Sequence, residues 1–292
     1  MFAGTYTALV TPFREGVVDE KALAALVEWQ IESGVDGLVP VGTTGESPTL
    51  DHAEHLRVIA AVVEFAKRRV KVIGGTGANA TAEAIELTRA AEKAGADASL
   101  QVAPYYNKPT QEGLYRHFKA IAAASKLPLV LYSIPGRCGI EIGVETCRRL
   151  AADCPTVVAI KEAGGAPDRV SQLCAALPAS FAVLSGDDSM TLPFMAVGAV
   201  GVISVASNVA PREVCRMVRA AAEGKTEEAR AMHARLFPFF KSLFIETNPI
   251  PVKAALAMAG RIREEYRLPL CEMGRENRAR LEETLRSLGL LS

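Results

Sequence analysis

Lys161 is the residue of this sequence best suited to covalent chemistry. It follows a short apolar run, residues 157–160, that is typical of a strand buried on both faces, and it precedes a segment containing Gly164 and Gly165. An ammonium group held against apolar surface loses hydration, which lowers its pKa and leaves a fraction as free amine. A free amine can attack a carbonyl and form a Schiff base. The alternative is a strand-end lysine that reaches solvent or pairs with Glu162.

Two further segments carry polar groups directly after strand patterns. Residues 42–46 read Gly-Thr-Thr-Gly-Glu, so the hydroxyls of Thr43 and Thr44 stand beside N–H groups of a tight turn that suits a carboxylate or phosphate. No lysine follows, so the turn is not a P-loop. Tyr132 can deliver or accept a proton, and Arg137 can bind a carboxylate through two bonds. The alternatives are an ordinary strand–helix turn, a rim tyrosine and a surface arginine.

Three other strand ends offer weaker signals. Tyr105 and Tyr106 lie on a loop bounded by prolines, where the alternatives are packing, a hydroxyl at the mouth of a site, or an anchor at a subunit interface. Gly186 allows a ligand to approach the backbone, and Ile203 offers main-chain groups to an enolic oxygen or a carboxylate. The acidic pair at 187–188 has no histidine or third carboxylate nearby, which favours structural hydrogen bonds over a metal site.

The elements that must position these residues follow one repeating pattern. Eight apolar strand signals occur, and a helical pattern follows most of them. The predicted strands cover residues 6–10, 37–42, 70–75, 98–103, 127–134, 157–160, 181–185 and 201–205. This alternation predicts an α/β fold, a (β/α)8 TIM barrel whose chemistry lies at the carboxyl ends of its strands. An open doubly wound sheet is the alternative, although no G-x-G-x-x-G follows the first strand.

The helices have recognisable ends, and the pattern changes after Gly224. Asp19 is predicted to cap the first helix, and Asp51 with Glu54 forms a candidate capping box for the second. Helices are also predicted over residues 81–94, 111–124, 226–244, 251–259 and 276–288. We therefore expect a barrel domain over residues 1–224 and a C-terminal helical domain over 225–292 that packs on the barrel or on a neighbouring subunit.

Composition excludes several classes of protein. The 292 residues carry a net charge of +0, which argues against nucleic acid or an anionic membrane as the main partner. The longest apolar run is too short to span a bilayer, and the start has no secretory signal pattern. The six cysteines form no C-x-x-C pair, so we expect reduced thiols, no structural zinc and a cytoplasmic protein.

Taken together, the motifs resemble the dihydrodipicolinate synthase family, within the wider superfamily of pyruvate-dependent class I aldolases. The resemblance covers essentially the whole chain. It is carried by residues 42–46, 105–107, 132–137, 160–162, 185–188 and 246–253. It implies that Lys161 forms an imine with pyruvate and that the resulting enamine adds to aspartate 4-semialdehyde. Ring closure would release 4-hydroxy-tetrahydrodipicolinate, on the route to diaminopimelate and lysine, with no metal and no organic cofactor.

The resemblance also implies a role for each site residue. The implied catalytic residues are Lys161, Tyr132, Thr43 and Tyr106, of which Tyr106 would come from a neighbouring subunit. The implied substrate-binding residues are Thr44, the backbone of Ile203, Gly186 and Arg137, of which Arg137 would receive the semialdehyde carboxylate. Family members are commonly homotetramers built as dimers of dimers, so the same assembly is expected here.

A regulatory site follows from the same resemblance. Lysine-inhibited members use an interface pocket, and this chain has groups suited to an amino acid at the six matching positions. These are Ser47, His52, His55, Asn79, Glu83 and Tyr105. From spacing alone, the two histidines would be read as a solvated helix face. One departure concerns Ser133, where the family usually has Asn; if that Asn orients Arg137, aldehyde affinity would differ here.

Two other functions compete with this one. The first is another pyruvate-dependent aldolase on the same barrel, such as N-acetylneuraminate lyase or a 2-keto-3-deoxy sugar acid aldolase, but those usually have Ser at the position of Thr43 and lack a counterpart of Arg137. The second is an inactive barrel that binds a metabolite, in which Lys161 would form no adduct with pyruvate.

Overall fold

The chain folds around a closed barrel of parallel strands, described by a computed structural model over residues 2–291. The strands are β1 (Gly4–Ala8), β2 (Phe13–Arg14), β3 (Val17–Val18), β4 (Gly37–Val39), β5 (Lys71–Gly75), β6 (Ala98–Val102), β7 (Leu129–Ser133), β8 (Val157–Glu162), β9 (Ala182–Ser185) and β10 (Gly201–Ser204). Strands β2 and β3 pair with each other, and the remaining eight form the barrel.

The barrel closes in the order β1-β10-β9-β8-β7-β6-β5-β4, because β1 pairs with both β10 and β4. The predicted (β/α)8 barrel is therefore confirmed, and the alternative of an open doubly wound sheet is wrong. Each predicted strand is present, with ends that differ by a few residues. The β2–β3 hairpin was not predicted, since two residues a strand leave no visible alternation.

Helices cover the barrel and continue beyond it. They are α1 (Glu20–Glu32), α2 (His52–Ala66), α3 (Thr81–Ala94), α4 (Gln111–Ala124), α5 (Pro135–Cys138), α6 (Val144–Asp153), α7 (Pro167–Ala176), α8 (Thr191–Ala196), α9 (Pro211–Ala222), α10 (Thr226–Ser242), α11 (Ile250–Met258) and α12 (Arg275–Ser287). Asp19 caps α1, and Asp51 and Glu54 form the predicted capping box of α2. No helix within residues 2–291 is both long enough and apolar enough to cross a membrane.

The barrel interior is packed with side chains rather than open. Tyr6, Ile73, Val130, Leu184 and Ile203 belong to one buried apolar cluster inside the strands. Such filling is what a barrel of eight strands requires, because its interior is only wide enough for side chains. The interior packing leaves the carboxyl ends of the strands as the place where polar residues gather.

The last three helices form an extension that is tied to the barrel. Helix α10 packs on α9, and α12 packs on both α10 and α11. Lys253 of α11 forms an ion pair with Glu46, with both side chains fully buried. Arg267 donates two hydrogen bonds of 2.6 Å to the Glu54 carboxylate. The extension therefore reaches the loops at the carboxyl end of the barrel, while the division at residue 224 stays a prediction.

Candidate active site

Lys161 lies in a dry position beside Tyr132. The register of β7 and β8 pairs the two residues directly, as the neighbouring strands predict. The Lys161 side chain is buried, with Nζ 4.3 Å from the centre of the Tyr132 ring. Burial lowers the pKa of Lys161 to about 8, Asp188 opposes this shift, and Arg137 adds to it. An amine with this pKa is partly unprotonated near neutral pH and can act as a nucleophile.

The alternative reading of Lys161, a pair with Glu162, is wrong. Consecutive residues of a strand point to opposite faces, so Glu162 faces the surrounding helices. Its carboxylate accepts a hydrogen bond of 2.8 Å from Nε of Arg169, a residue of α7. Lys161 consequently has no carboxylate within ion-pair distance among the described residues.

Gly186 fixes how closely the backbone approaches this lysine. A Cβ atom at position 186 would lie 3.0 Å from Cε of Lys161 and 2.8 Å from Cβ of Ala163. The backbone N–H of Gly186 donates to the carbonyl of Glu162 at 2.7 Å, which holds the chain there. The absence of a side chain thus keeps the space around Lys161 Cε open. This geometry supports the predicted placement of Gly186 at the site.

Tyr132 is positioned to exchange a proton. Its ring is buried, and burial raises the pKa of the phenol to about 12, against the opposing effects of Arg137 and of a hydrogen bond with Thr43. The phenol is therefore protonated at physiological pH. A Thr43 side chain beside this phenol is what the predicted relay requires, and the relay itself stays a prediction.

The turn that carries Thr43 and Thr44 has a strained backbone. Val41 and Glu46, which flank it, have φ angles of 56° and 57°, in the left-handed region that non-glycine residues rarely adopt. For a β-branched residue such as Val41, this conformation costs on the order of 1–3 kcal/mol unless the surroundings hold it. A Cβ atom at Gly75 would lie 2.3 Å from the carbonyl oxygen of Val41, so only glycine permits this packing.

Arg137 and Thr44 meet at a residue that sequence reasoning left without a role. Arg137 lies in the short helix α5, and its Nη2 donates to the carbonyl oxygen of Asn248 at 3.0 Å. The side-chain Nδ2 of Asn248 donates to Oγ1 of Thr44 at 3.0 Å. The motif 246–253 was recognised in the sequence, but an asparagine beside a proline is ordinarily assigned to a turn.

A cavity of about 220 Å³ opens beside Tyr132 and Arg137. Its wall includes Thr43, Tyr132 and Arg137, together with Ser47 and Tyr105. Ile203 is fully buried near the end of β10, opposite Tyr6 of β1. The cavity therefore offers a proton-transfer group and a guanidinium to a small carbonyl compound.

Four of the six residues of the predicted regulatory site form two pairs. Nε2 of His52 lies 2.9 Å from Oε1 of Glu83, and Nδ2 of Asn79 donates to the carbonyl of Tyr105 at 3.3 Å. The reading of both histidines as a solvated face is wrong for His55. That residue is buried, its Nε2 lies 2.6 Å from the carbonyl oxygen of Gly75, and burial lowers its pKa.

Tyr106 stands apart from the other predicted residues. Its side chain is 92% exposed, and its φ angle is 71°. The interpretation that it packs within its own barrel is therefore wrong. Asn107, the next residue, donates from Nδ2 to the carbonyl of Asn79 at 2.8 Å and holds the loop in place. Tyr106 thus projects outward from an anchored loop.

Three further residues have structural contacts. Asp188 accepts bonds from Ser204 and from the N–H groups of Val205 and Ala206, and Asp187 accepts from Ser189 at 2.8 Å. The predicted preference for structural hydrogen bonds at 187–188 is confirmed. Ser133 is buried, and its hydroxyl accepts from the N–H of Ile142 at 3.3 Å. It therefore orients the segment after α5 and has no hydrogen bond with Arg137.

The cysteines form no disulfide within residues 2–291. All six are free, which agrees with the reduced thiols expected from their irregular spacing. Cys138 lines the cavity, where burial raises the pKa of its thiol to about 11. Such a thiol is protonated at neutral pH and is a poor nucleophile, so it does not compete with Lys161.

The decisive comparison is with protein families. The model of the dihydrodipicolinate synthetase family matches residues 1–288. This chain belongs to that family. The 4-hydroxy-tetrahydrodipicolinate synthases of Persephonella marina and Thermodesulfovibrio yellowstonii are 54% and 52% identical to it, each over 100% of both chains. Family membership therefore applies to the helical extension as well as to the barrel.

Solved structures agree with the family assignment. Dihydrodipicolinate synthase from Aquifex aeolicus has a TM-score of 0.98 and 53% identity, with 99% of each chain covered. The enzyme from Acinetobacter baumannii complexed with pyruvate has a TM-score of 0.97 and 46% identity over 100% of each chain. The enzyme from Cyanidioschyzon merolae with lysine bound has a TM-score of 0.97 and 43% identity over 99% of each chain.

Proposed function

We infer that this chain is a 4-hydroxy-tetrahydrodipicolinate synthase, a lyase of the pyruvate aldolase type that acts in the diaminopimelate route to lysine. The observation that carries the inference is the buried amine of Lys161 beside Tyr132, in a chain that matches such synthases over its full length. The amine attacks the keto carbon of pyruvate, and loss of water gives the imine. Proton loss from the methyl group then gives an enamine, with Lys161 as the electron sink.

Pyruvate is held through its carboxylate. Thr44 offers a hydroxyl and Ile203 its backbone, while Gly186 leaves room beside the Lys161 side chain. Uncharged donors are sufficient here because the carboxylate is small and the site is shielded from water, where each hydrogen bond to a charged group is strengthened. These roles are supported by burial of Thr44 and by the close approach of Gly186 to Lys161.

Proton transfer is assigned to Tyr132. Its high pKa keeps the phenol protonated, so it donates to the hydroxyl that leaves the carbinolamine. Thr43 then relays a replacement proton to the Tyr132 phenolate from Tyr106 of a second copy of the chain. The outward projection of Tyr106 supports this arrangement, because a tyrosine that is 92% exposed does not reach the active site of its own barrel.

The second substrate is aspartate 4-semialdehyde. Arg137 receives its carboxylate, and the enamine carbon attacks its aldehyde. The substrate amine then attacks the imine carbon, which closes the ring and releases Lys161. The position of Arg137 on the cavity wall, with one N–H group occupied by Asn248, supports this role because the remaining donors can form a fork.

Lysine is proposed as a feedback inhibitor that binds at the six residues named above. The pair of His52 and Glu83 and the amide of Asn79 offer charged and polar contacts to an amino acid. Ser47 and Tyr105 also line the cavity, so occupancy of this edge would act on the wall that the substrates use. Assay with millimolar lysine tests the proposal: progressive inhibition is expected, weakened in Glu83→Ala, and a flat response would remove it.

The same proposal covers assembly, location and domain division. A homotetramer arranged as a dimer of dimers would bring Tyr106 to a second active site, and gel filtration with light scattering measures its mass. A cytoplasmic location suits an enzyme whose substrates are central metabolites. The extension at 225–292 is proposed as a separate helical domain that supports the barrel.

The substrate assignment is tested by direct competition. Purified protein is given pyruvate with aspartate 4-semialdehyde in one assay and N-acetylneuraminate or a 2-keto-3-deoxy sugar acid in another. Consumption of the semialdehyde is expected to exceed cleavage of either sugar acid by about a hundredfold or more, because only the semialdehyde fits the Arg137 fork. Preferential cleavage of a sugar acid would contradict the proposed function.

A further inference from the structure

The segment that precedes α11 joins the two groups proposed to bind carboxylates. Asn248 is 5% exposed, its side-chain Nδ2 donates to Oγ1 of Thr44, and its main-chain oxygen accepts from Nη2 of Arg137. Both distances are 3.0 Å. One residue of the extension therefore contacts Thr44 through its side chain and Arg137 through its backbone.

The side-chain contact decides where the Thr44 proton points. A hydroxyl has one donor and two acceptor sites, so a hydroxyl that accepts from an amide must aim its proton elsewhere. No acceptor for the Thr44 proton is recorded among residues 2–291, and the side chain is buried. The proton is consequently available to an incoming carboxylate, the group that Thr44 is proposed to hold.

An asparagine at position 248 lowers the stability of the folded protein. Its Oδ1 atom is buried without a hydrogen-bond partner within the described part of the chain. An unpaired buried acceptor costs on the order of 1–3 kcal/mol, whereas an apolar side chain of similar shape would avoid that cost. An amide is therefore poorly explained by packing alone, and its donor to Thr44 is the contact that an apolar residue could not supply.

The segment around Asn248 is anchored to the turn that carries Thr44. The N–H of Lys253 donates to the carbonyl of Pro249 at 3.0 Å, and the Lys253 ammonium pairs with Glu46 in that turn. Glu46 also accepts from the N–H of Arg267 at 3.3 Å. Because both partners of the amide–hydroxyl bond belong to one anchored unit, their separation is fixed before substrate arrives.

We propose that Asn248 is a positioning residue that aims the Thr44 hydroxyl proton at the carboxylate of the keto acid. The proposal rests on the function proposed above. The contacts of Asn248 with Thr44 and with Arg137 can be tested separately. A change of the Asn248 side chain removes the bond to Thr44, whereas the bond from Arg137 goes to the backbone and is kept. Loss of the amide should therefore weaken binding of the keto acid and leave binding of the aldehyde nearly intact.

Steady-state kinetics of three variants test this. Asn248→Ala is expected to raise KM for pyruvate by about tenfold, the effect of losing one oriented hydrogen bond to a charged group, with KM for the semialdehyde changed by less than about twofold. Asn248→Asp should raise KM for pyruvate further, because a carboxylate would accept the Thr44 proton and repel the substrate. The matched control is Asn277→Ala, which removes a bond of 2.9 Å to Glu246 but contacts neither Thr44 nor Arg137, and it should leave both KM values unchanged.

A double-mutant cycle with Thr44→Val shows whether Asn248 acts through Thr44. If it does, the double variant has the pyruvate KM of Thr44→Val alone, because the hydroxyl that Asn248 orients is already gone. Any of three results would overturn the proposal. The first is a double variant in which the two increases in pyruvate KM multiply, the second is an equal increase in both KM values for Asn248→Ala, and the third is an unchanged pyruvate KM for that variant. Trapping of pyruvate on the parent enzyme with borohydride is run beside these assays: its failure rejects the proposed function itself, whereas success with any of those three kinetic results rejects only the role of Asn248.

Discussion

Two lysines are buried within residues 2–291, and their surroundings differ in whether a carboxylate contacts the ammonium group. Lys161 lies at a strand end over the Tyr132 ring and has no carboxylate within ion-pair distance among the described residues. Lys253 lies in α11, fully buried, in an ion pair with Glu46 and 4.3 Å from the centre of the Phe13 ring. Burial lowers the pKa of both, and a carboxylate opposes the shift in each, but only at Lys253 does that carboxylate form an ion pair with the lysine.

The contrast teaches that burial alone does not make a nucleophile. A contacting carboxylate keeps an ammonium charged and immobile, and the pair then serves as an anchor. The anion that opposes the pKa shift of Lys161 is Asp188, whose oxygens already accept three bonds, and burial raises its pKa to about 6. Lys161 is therefore left with a weakly held proton, which is what Schiff-base chemistry needs.

The largest expected effect is a loss of turnover on replacement of Lys161. Lys161→Met should lower synthase turnover by about a thousandfold or more, since the covalent step is lost, while the melting temperature should not fall because no buried charge is left unpaired. Coupled kinetics and thermal unfolding measure the two quantities. A variant that keeps more than about a tenth of the turnover would show that Lys161 is not the nucleophile.

The second effect separates the two lysines by stability. Lys253→Met should lower the free energy of unfolding by about 3–5 kcal/mol, because it leaves the Glu46 carboxylate buried and without an ion-pair partner. Denaturant unfolding measures the loss, and the double change Lys253→Met with Glu46→Gln is the control that should recover most of it. A smaller cost than that of Lys161→Met would remove the anchoring role of this pair.

A third variant sharpens the account of Lys161 itself. Tyr132→Phe keeps the ring and the burial but removes the hydroxyl, so turnover should fall by about a hundredfold while the pKa of Lys161 stays near 8. The pH dependence of amine labelling reports that pKa. Tyr115→Phe, a change of a buried tyrosine on α4, is the control and should leave turnover unaltered. A large rise in the Lys161 pKa in Tyr132→Phe would contradict the assignment of the shift to burial.

The smallest effect is a pH dependence in the parent enzyme. With a pKa of about 8, the free-amine fraction of Lys161 rises with pH, by about tenfold between pH 7 and 9, and then levels off. Tyr132, with a pKa of about 12, stays protonated across this range. The initial rate of adduct formation with pyruvate should follow the amine. A rate that is flat from pH 7 to 9 would place the Lys161 pKa outside this window.

Features set by local pattern could be predicted from the sequence. The adjacency of Lys161 and Tyr132 follows from two apolar strands that must pair in parallel, and the capping box at Asp51 follows from residue types three positions apart. Helices α3 and α4 begin and end at the predicted residues. In each case the signal lies within a few residues, where periodicity and capping chemistry operate.

Features that depend on distant packing could not be predicted. Asn248 meets Thr44 across 204 positions, and Lys253 meets Glu46 across 207, and neither contact has a local pattern. The left-handed conformation of Val41 was also unpredicted, because a β-branched residue adopts it only when its surroundings impose it. The role of Tyr106 needs a second copy of the chain and stays a prediction.

The central claim is that the dry surroundings of Lys161 make this one amine reactive toward pyruvate. The most direct measurement is incubation with pyruvate and borohydride, followed by peptide mapping by mass spectrometry. The account predicts one reduced pyruvate per chain, on the peptide that contains Lys161, and no modification at Lys253. Labelling at another lysine, or no labelling while the protein remains folded, would contradict it.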